Sequence, residues 1–352
     1  MASETNISAS LQKKLDKLNK SYGARTKVDT QFITTGSIIA DAVLVDTAIL
    51  KEGQKGGLPL GKFIEVFGDT GCGKSTVILG ACKQACLQGK IVVYLDFEGG
   101  VNESQLEGIG LRPYLNNGFY LFQIDTFEEA EEIIDELKSE ATYIVFDSIT
   151  AMLPGKLKDE SVGDIQPGLQ ARYTSSFLQK YKPVVKEYPC SFIFINQVRT
   201  KLNFRGMSTV DSAGGYALKF YMDIRIKMRK SSKLVKKMNT IEGVAEVEYG
   251  ALTYISAVKN RYNKPFIEGG MHVIYGKGVS NLAAYQSWLE KNNIFQGGGG
   301  GWYTIRFKDR PEEKVRGSEG LSNWVKANIR EITEYIDSNG GFLLVSEDKS
   351  EE

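Results

Sequence analysis

The run Gly68-Asp69-Thr70-Gly71-Cys72-Gly73-Lys74-Ser75 fits the pattern G-x-x-x-x-G-K-[ST]. Glycines at such spacing let successive backbone N–H groups turn inward and cradle phosphate oxygens. Lys74 supplies a point charge for the β and γ phosphates, and Ser75 a hydroxyl ligand for Mg²⁺. The helix that follows, from Thr76 on, adds its positive N-terminal end. Chance produces such a match in roughly 1% of chains this long, counting glycine at ~7% of residues. The context therefore matters, and here an apolar run, Phe63–Phe67, precedes the loop and a helical stretch, Thr76–Leu87, follows it. The residues thus predict a site for ATP with Mg²⁺.

Three further apolar runs lead into polar positions. Asp147 closes Tyr143-Ile144-Val145-Phe146 and is placed to hold Mg²⁺ through water. Glu98 follows Ile91–Leu95, where a carboxylate at the C-terminal edge of a parallel sheet points into the ligand crevice. From there it could orient or deprotonate the water that attacks the γ-phosphate. Asp96, in the same segment, is the rival for that role. Asn196 and Gln197 end Phe192–Ile195, and an amide there can sense the γ-phosphate, although polar strand ends are also ordinary.

The elements that must position these groups are legible as an alternation. From Lys62 to about Tyr275, short β-rich runs alternate with helical stretches, as in an α/β protein with a mostly parallel central sheet. Phe63–Phe67, Ile91–Leu95, Tyr120–Ile124, Tyr143–Phe146 and Phe192–Ile195 lack polar alternation, as strands covered on both faces should. Met222–Met228, Ala245–Glu248 and Leu252–Lys259 read as later strands, some suited to antiparallel edges. Ser8–Ser21 reads as an amphipathic helix with Leu11, Leu15 and Leu18 on one stripe, followed by an extended stretch from Thr26 to Ile33. Beyond Gly278, helical stretches at Leu282–Leu289 and Leu321–Ile336 flank five consecutive glycines between Gln296 and Trp302. The expected division is 1–36 as an oligomerisation helix and arm, 37–278 as an ATPase core, 279–345 as a small α/β C-terminal domain, and 346–352 as an acidic tail.

The chain has 352 residues, 42% hydrophobic and 25% charged, ordinary values for a folded protein with a large core. Its formal net charge is +1, so any nucleic-acid site must be a local patch. No apolar run is long enough to span a membrane, and the polar Met1–Ser10 lacks a secretory h-region, so a cytoplasmic protein is expected. Cys72, Cys82, Cys86 and Cys190 form no metal-ligand spacing and read as reduced packing thiols. The single histidine, His272, excludes a multi-histidine metal site.

One segment has the chemistry of a single-strand groove. Arg199, Lys201 and Arg205 surround Phe204, with Gly206, Ser208 and Thr209 beside them. Cations that neutralise phosphates, with backbone amides freed by glycine, suit that role. The segment reads as a long loop without periodicity, which in a compact domain points to function. An earlier glycine-bearing loop, with Gly155, Gly163, Gly168 and then Arg172, looks equally open but less basic.

Taken together, these elements resemble the bacterial and phage RecA recombinase family over nearly the whole chain. Gly57-Leu58-Pro59 leading into Ile64–Gly68, Phe146-Asp147-Ser148-Ile149-Thr150-Ala151, and Phe194-Ile195-Asn196-Gln197-Val198-Arg199 are similar to its core motifs. So are Gly214-Gly215-Tyr216-Ala217-Leu218-Lys219-Phe220-Tyr221, Val258-Lys259-Asn260-Arg261 and Pro265-Phe266. The resemblance implies a RecA-type P-loop ATPase core that forms a helical filament on single-stranded DNA and pairs it with homologous duplex DNA. Glu98 would be the catalytic carboxylate and Gln197 the switch linking γ-phosphate to DNA. Residues 154–172 and 198–213 would form the two DNA-binding loops, with Gly214 and Gly215 just beyond. Lys259 and Arg261 would reach the ATP of the adjacent protomer, and the N-terminal helix and Phe220 would pack on a neighbour. Single-strand-binding and mediator proteins are partners it suggests.

The chain also departs from the family. Gln105 stands where a tyrosine usually stacks near the adenine, and Arg261 where lysine is common. Pro167 stiffens the first loop, and Asp46–Gln54 lengthens the region before Gly56. The alternative reading is a RecA-fold helicase or mediator that does not exchange strands.

Overall fold

The computed structural model describes residues 30–155, 169–202, 208–212, 215–240, 243–339 and 342, with helical residues 13, 14, 16 and 17. The chain separates into two units, Met1–Gln31 and Phe32–Glu352. In the first, the four described residues fall within the expected helix and are exposed, and the rest of 8–21 lies outside the described residues.

In the second unit the elements follow in the order β1 (Phe32–Ile33), α1 (Ile38–Leu44), β2 (Leu58–Pro59), β3 (Phe63–Gly68), α2 (Lys74–Leu87) and β4 (Ile91–Asp96). Next come α3 (Glu103–Ile109), β5 (Phe119–Gln123), α4 (Phe127–Leu137), β6 (Ala141–Asp147), α5 (Leu169–Tyr181), α6 (Val184–Glu187) and β7 (Ser191–Leu202). Then follow β8 (Ser208–Ser212), α7 (Gly215–Tyr221), β9 (Ile224–Thr240), β10 (Gly243–Lys259), β11 (Glu268–Ile274) and β12 (Gly278–Ser280). The main sheet runs β12-β11-β10-β9-β3-β7-β6-β4-β5, with β8 attached to β7. From β9 to β5 neighbours are parallel, and from β9 to β12 antiparallel. Because β7 and β6 are inserted between β3 and β4, the C-terminal edges of these strands open a crevice, the usual ligand position in such sheets.

Two apolar clusters cover the sheet, one on each face. Helices α1 and α2 bury Ile64, Val66, Tyr94, Val145 and Ile195. Helices α4 and α5 bury Phe63, Phe146, Phe192 and Phe194, with Phe146 and Phe194 stacked at 4.7 Å. Burial on both faces accounts for the uninterrupted apolar runs in β3, β4, β6 and β7.

Three regions differ from the sequence expectation. Residues 198–202 and 208–212 are not an irregular loop. They pair antiparallel, with Thr200 opposite Val210 and Arg199 opposite Asp211. Threonine and valine on both arms favour the extended form despite the intervening charges. Strands β9 and β10 form one hairpin of 17 residues per arm, longer than the expected runs. Residues 231–233 and 235–238 are exposed, so no apolar alternation marks that extension. In the C-terminal region, α8 (Leu282–Lys291) precedes a three-stranded sheet of β13 (Phe295–Gly298), β14 (Trp302–Ile305) and β15 (Glu313–Arg316). The glycine run supplies the end of β13 and the connection to β14, with Gly298 opposite Trp302. The last helical stretch is two helices, α9 (Gly317–Ala327) and α10 (Ile329–Ser338), divided at Asn328. Leu289, Phe295, Phe307, Trp324, Val325 and Ile332 form the apolar centre of this region.

Candidate active site

The phosphate loop joins β3 to α2, and its glycines are required by contact and by conformation. A Cβ on Gly68 would lie 2.1 Å from the Met228 carbonyl oxygen on β9, closer than any side chain tolerates. Gly73, the residue before α2, adopts φ +90°, the left-handed region that glycine enters without strain. The first turn of α2 holds no acidic residue, and no side chain caps it. Lys74 is buried, and its ammonium donates to the carbonyls of Gly68 and Asp69, both at 2.9 Å. Thr253 on β10 donates to the Cys72 carbonyl at 3.1 Å and braces the loop from behind. Burial pushes the Cys72 thiol up, so it stays protonated and packs as a small apolar group. Asp69, Thr70 and Gly71 face solvent, and Ser75 and Thr76 are half-buried.

At the end of β6, Asp147 accepts hydrogen bonds from the Tyr94 hydroxyl at 2.6 Å and from the Ser75 side chain. Desolvation holds its carboxyl above the usual range, opposed by those two donors and reinforced by Glu98 and Asp96. A serine hydroxyl and a carboxylate in hydrogen-bond contact beside a phosphate loop form the donor set that Mg²⁺ uses together with phosphate oxygens. Among the described residues no group of three His, Cys, Asp or Glu could hold a metal by itself. By the chemistry of their oxygen donors, Ser75 and Asp147 fit Mg²⁺.

The geometry separates Asp96 from Glu98. Asp96 is buried, and its carboxylate accepts from the N–H groups of Glu98, Gly100 and Val101 at 3.0–3.2 Å. It anchors the turn after β4. Glu98 is exposed, and its Oε1 accepts from the Ser148 hydroxyl and from Gln197 Nε2, the latter at 3.2 Å. Residues 50 to 99 positions apart in the chain thus meet at one carboxylate oxygen.

The two amides after β7's buried portion also diverge. Asn196 is fully buried and donates to Glu65 Oε1 at 2.9 Å, while its own oxygen accepts from the Gln197 N–H at 2.8 Å. Glu65, buried in the middle of β3, also binds Arg225 of β9 at 2.6 Å. The Arg225 guanidinium lies 4.7 Å from the centre of the Phe67 ring. Gln197 is level with Gly68 across β3 and β7, and the next residue, Val198, begins the pairing with β8.

The remaining expected residues are spread over the surface. Lys259 and Arg261 do not join the phosphate loop. Lys259 pairs with Arg225, which is level with Glu65, three residues below Gly68 and two strands away from Lys259. At ~3.3 Å per residue and ~4.8 Å per strand, that removes it by more than 10 Å from its own phosphate loop. The Lys259 ammonium donates to the carbonyls of Lys219 and Phe220, and burial lowers its pKa. Arg261 lies 3.9 Å from Asp223 and is largely exposed. Phe220 is 81% exposed. Gln105 sits on α3, where Asn102 caps its N–H at 3.0 Å. Arg172 is exposed on the first turn of α5, next to Gln170, which donates to the carbonyls of Thr150 and Met152. Arg199 and Lys201 lie on β7's extension, and Gly215 opens α7. Gly168, Phe204, Arg205 and Gly214, and residues 156–168 with Pro167, lie outside the described residues. Sequence reasoning gave no role to Tyr94, Ser148 or Glu65, since nothing local marks a core tyrosine, a serine after a strand, or a glutamate within one.

Among the described residues no helix is long and apolar enough to cross a membrane. A family model for the RecA N-terminal domain matches residues 9–280. Protein RecA of Wigglesworthia glossinidia brevipalpis is 29% identical over 348 residues, covering 94% of this chain and 99% of that protein. Protein RecA of Crocosphaera subtropica is 31% identical over 319 residues, covering 88% and 85%. The crystal structure of the RadB recombinase aligns with a TM-score of 0.49 at 23% identity, covering 70% of this chain and 98% of that one. With the phosphate loop and its carboxylates on a sheet of this order, and a family match over most of its length, the chain belongs to the RecA family, a family of ATPases.

Proposed function

We propose that this protein is a single-stranded-DNA-dependent ATPase that assembles as a helical filament on DNA and pairs the bound strand with a homologous duplex. The observation that carries the reading is the continuity of β7. One strand bears Gln197, in hydrogen-bond contact with Glu98 beside the phosphate loop, and then Arg199 and Lys201 on the hairpin with β8. A shift of Gln197 toward a γ-phosphate would release Glu98 and move the hairpin through covalent backbone, with no intervening joint.

In this reading Gly68–Thr76 wrap the phosphates, Lys74 neutralises them, and Ser75 with Asp147 holds Mg²⁺. Held there, Mg²⁺ would offset the charge on the phosphate oxygens. Glu98 orients the attacking water and accepts its proton as the bond between the γ-phosphorus and the ADP oxygen breaks. Lys259 and Arg261 are too far from their own phosphate loop, which supports their acting on the ATP of a neighbouring protomer. Arg172, Arg199, Lys201, Phe204 and Arg205, with the glycines at 168, 214 and 215, would line the single strand. Base pairing, not side chains, would read homology, and the setting would be the cytoplasm.

The deciding experiment measures ATP hydrolysis with and without single-stranded DNA, on the wild type and on Lys74→Ala. Several-fold stimulation in the wild type, abolished in the variant, supports the coupling, and strand exchange is then assayed directly. Hydrolysis indifferent to DNA removes the central claim. Stimulation without strand exchange would favour a helicase or mediator.

A further inference from the structure

We propose that Tyr94 is a positioning residue for the metal-binding carboxylate: its buried hydroxyl grips Asp147 from the neighbouring strand and fixes how the carboxylate is presented to Mg²⁺. The assignment rests on the reading of Asp147 as the Mg²⁺ carboxylate.

The geometry follows from register. Strands β4 and β6 are parallel neighbours, with Tyr94 opposite Val145. Side chains of Val145 and Asp147 share one face of β6, since strand residues alternate in direction. The two residues are ~6.6 Å apart along the strand, a distance a tyrosine side chain spans. Tyr94 therefore lies along the sheet with its ring in the apolar cluster, 5.9 Å from the Phe119 ring, and its oxygen 2.6 Å from Asp147 Oδ2. Helix α2 covers the same face and brings Ser75 to the carboxylate from above. Asp147 is thus held from two directions by groups of different kinds. Ser75 would itself be a ligand for the ion. Tyr94 has no such second task.

The hydroxyl is a dependable donor. Tyr94 is fully buried, so its hydroxyl is shielded from water and donates to Asp147 Oδ2. A phenylalanine would fill the same space in the cluster but would leave Oδ2 without this donor in a site largely closed to water. A carboxylate has about four acceptor positions. Fixing one of them on Tyr94 sets the plane in which the others meet Ser75 and the waters of the ion. Partners of this kind commonly change metal affinity by about 10–100-fold when removed.

The test uses the full chain with MnCl₂ as the metal probe and ADP as the nucleotide, free Mn²⁺ being read by its EPR signal. Tyr94→Phe is expected to raise the Mn²⁺ concentration for half-saturation by about 10-fold, while ADP affinity in EDTA stays unchanged. Tyr143→Phe serves as the control. That tyrosine is equally buried, on β6, but its hydroxyl faces the Leu58 carbonyl at 3.5 Å, away from the site. A merely structural tyrosine would behave as this control does, losing melting temperature without a shift in the Mn²⁺ midpoint. An unmoved midpoint in Tyr94→Phe overturns the proposal. So does a shift of the same size when Tyr94→Phe is added to Asp147→Asn, because the hydroxyl acts only through that carboxylate. A wild type whose ADP binding ignores Mn²⁺ sinks the metal reading itself, and this assignment with it.

Discussion

At the scale of single residues, the site turns on which polar groups are already satisfied. Asp96 and Glu98 are two residues apart and both follow β4, yet their surroundings assign them different work. Three backbone N–H groups occupy Asp96, whereas Glu98 meets only side chains, Ser148 and Gln197, that can release it. Glu98→Gln should therefore lower ATP turnover by about 10²–10⁴-fold while leaving nucleotide affinity and melting temperature close to wild type. Asp96→Asn should do the reverse, lowering the melting temperature through loss of buried, charge-assisted hydrogen bonds worth about 1–3 kcal/mol each. Rapid-quench hydrolysis with thermal melts distinguishes the two. Equal losses of turnover without loss of stability would count against the division of labour.

At the scale of elements, charged and polar groups hold strands and helices in register around the apolar clusters. Glu65 ties β3 to β7 through Asn196 and to β9 through Arg225, a buried arrangement in which removing one partner strands the others. Helix α1 is anchored similarly. Asp41, in its first turn, accepts from the Thr35 N–H at 2.8 Å, from the Thr35 hydroxyl at 2.7 Å and from the Thr34 hydroxyl. Burial nevertheless raises its pKa to about 6, against an ordinary 3.8. The folded state thus favours the protonated form more than the unfolded state does. The resulting stability is complete below the unfolded pKa and is lost as pH rises through about 6. A shift of this size corresponds to roughly 2–3 kcal/mol. Asp41→Asn cannot titrate, so the stability of wild type minus variant should fall between pH 4 and pH 7, as followed by urea unfolding. A difference that is flat, or rises with pH, contradicts the sign.

At the scale of the whole molecule, the nucleotide crevice and Lys259 lie at different levels of the same sheet, with Arg261 just past the end of β10. In the proposed filament, a neighbour stacked on that side would bring its own cations to this crevice. The Phe220 carbonyl accepts from the Lys259 ammonium, while its ring, 5.8 Å from that of Tyr221, leaves the residue 81% exposed. Phe220→Ala should leave the monomer's stability within about 0.5 kcal/mol of wild type. It should also weaken assembly on single-stranded DNA, seen as a higher protein concentration for half-maximal sedimentation and DNA-stimulated hydrolysis. Unchanged assembly would place the contact elsewhere.

The sequence alone determined the phosphate loop, the buried parallel strands and the polar residues that end them. These are contiguous patterns: glycines, a lysine and a serine at fixed offsets, and apolar runs long enough to be covered on both faces. Family membership was legible for the same reason, as linked motifs in order. Only the tertiary structure decided what depends on partners distant in the chain. It divided Asp96 from Glu98 and Asn196 from Gln197, because burial and hydrogen-bond partners are set by strand register, which no local spacing encodes. It turned part of the expected loop after Val198 into a paired hairpin, since β8 supplies the backbone partners that charges and glycines had concealed. It also brought Tyr94 and Glu65 into the site, two residues whose types look ordinary within a strand until the neighbouring strand is in place.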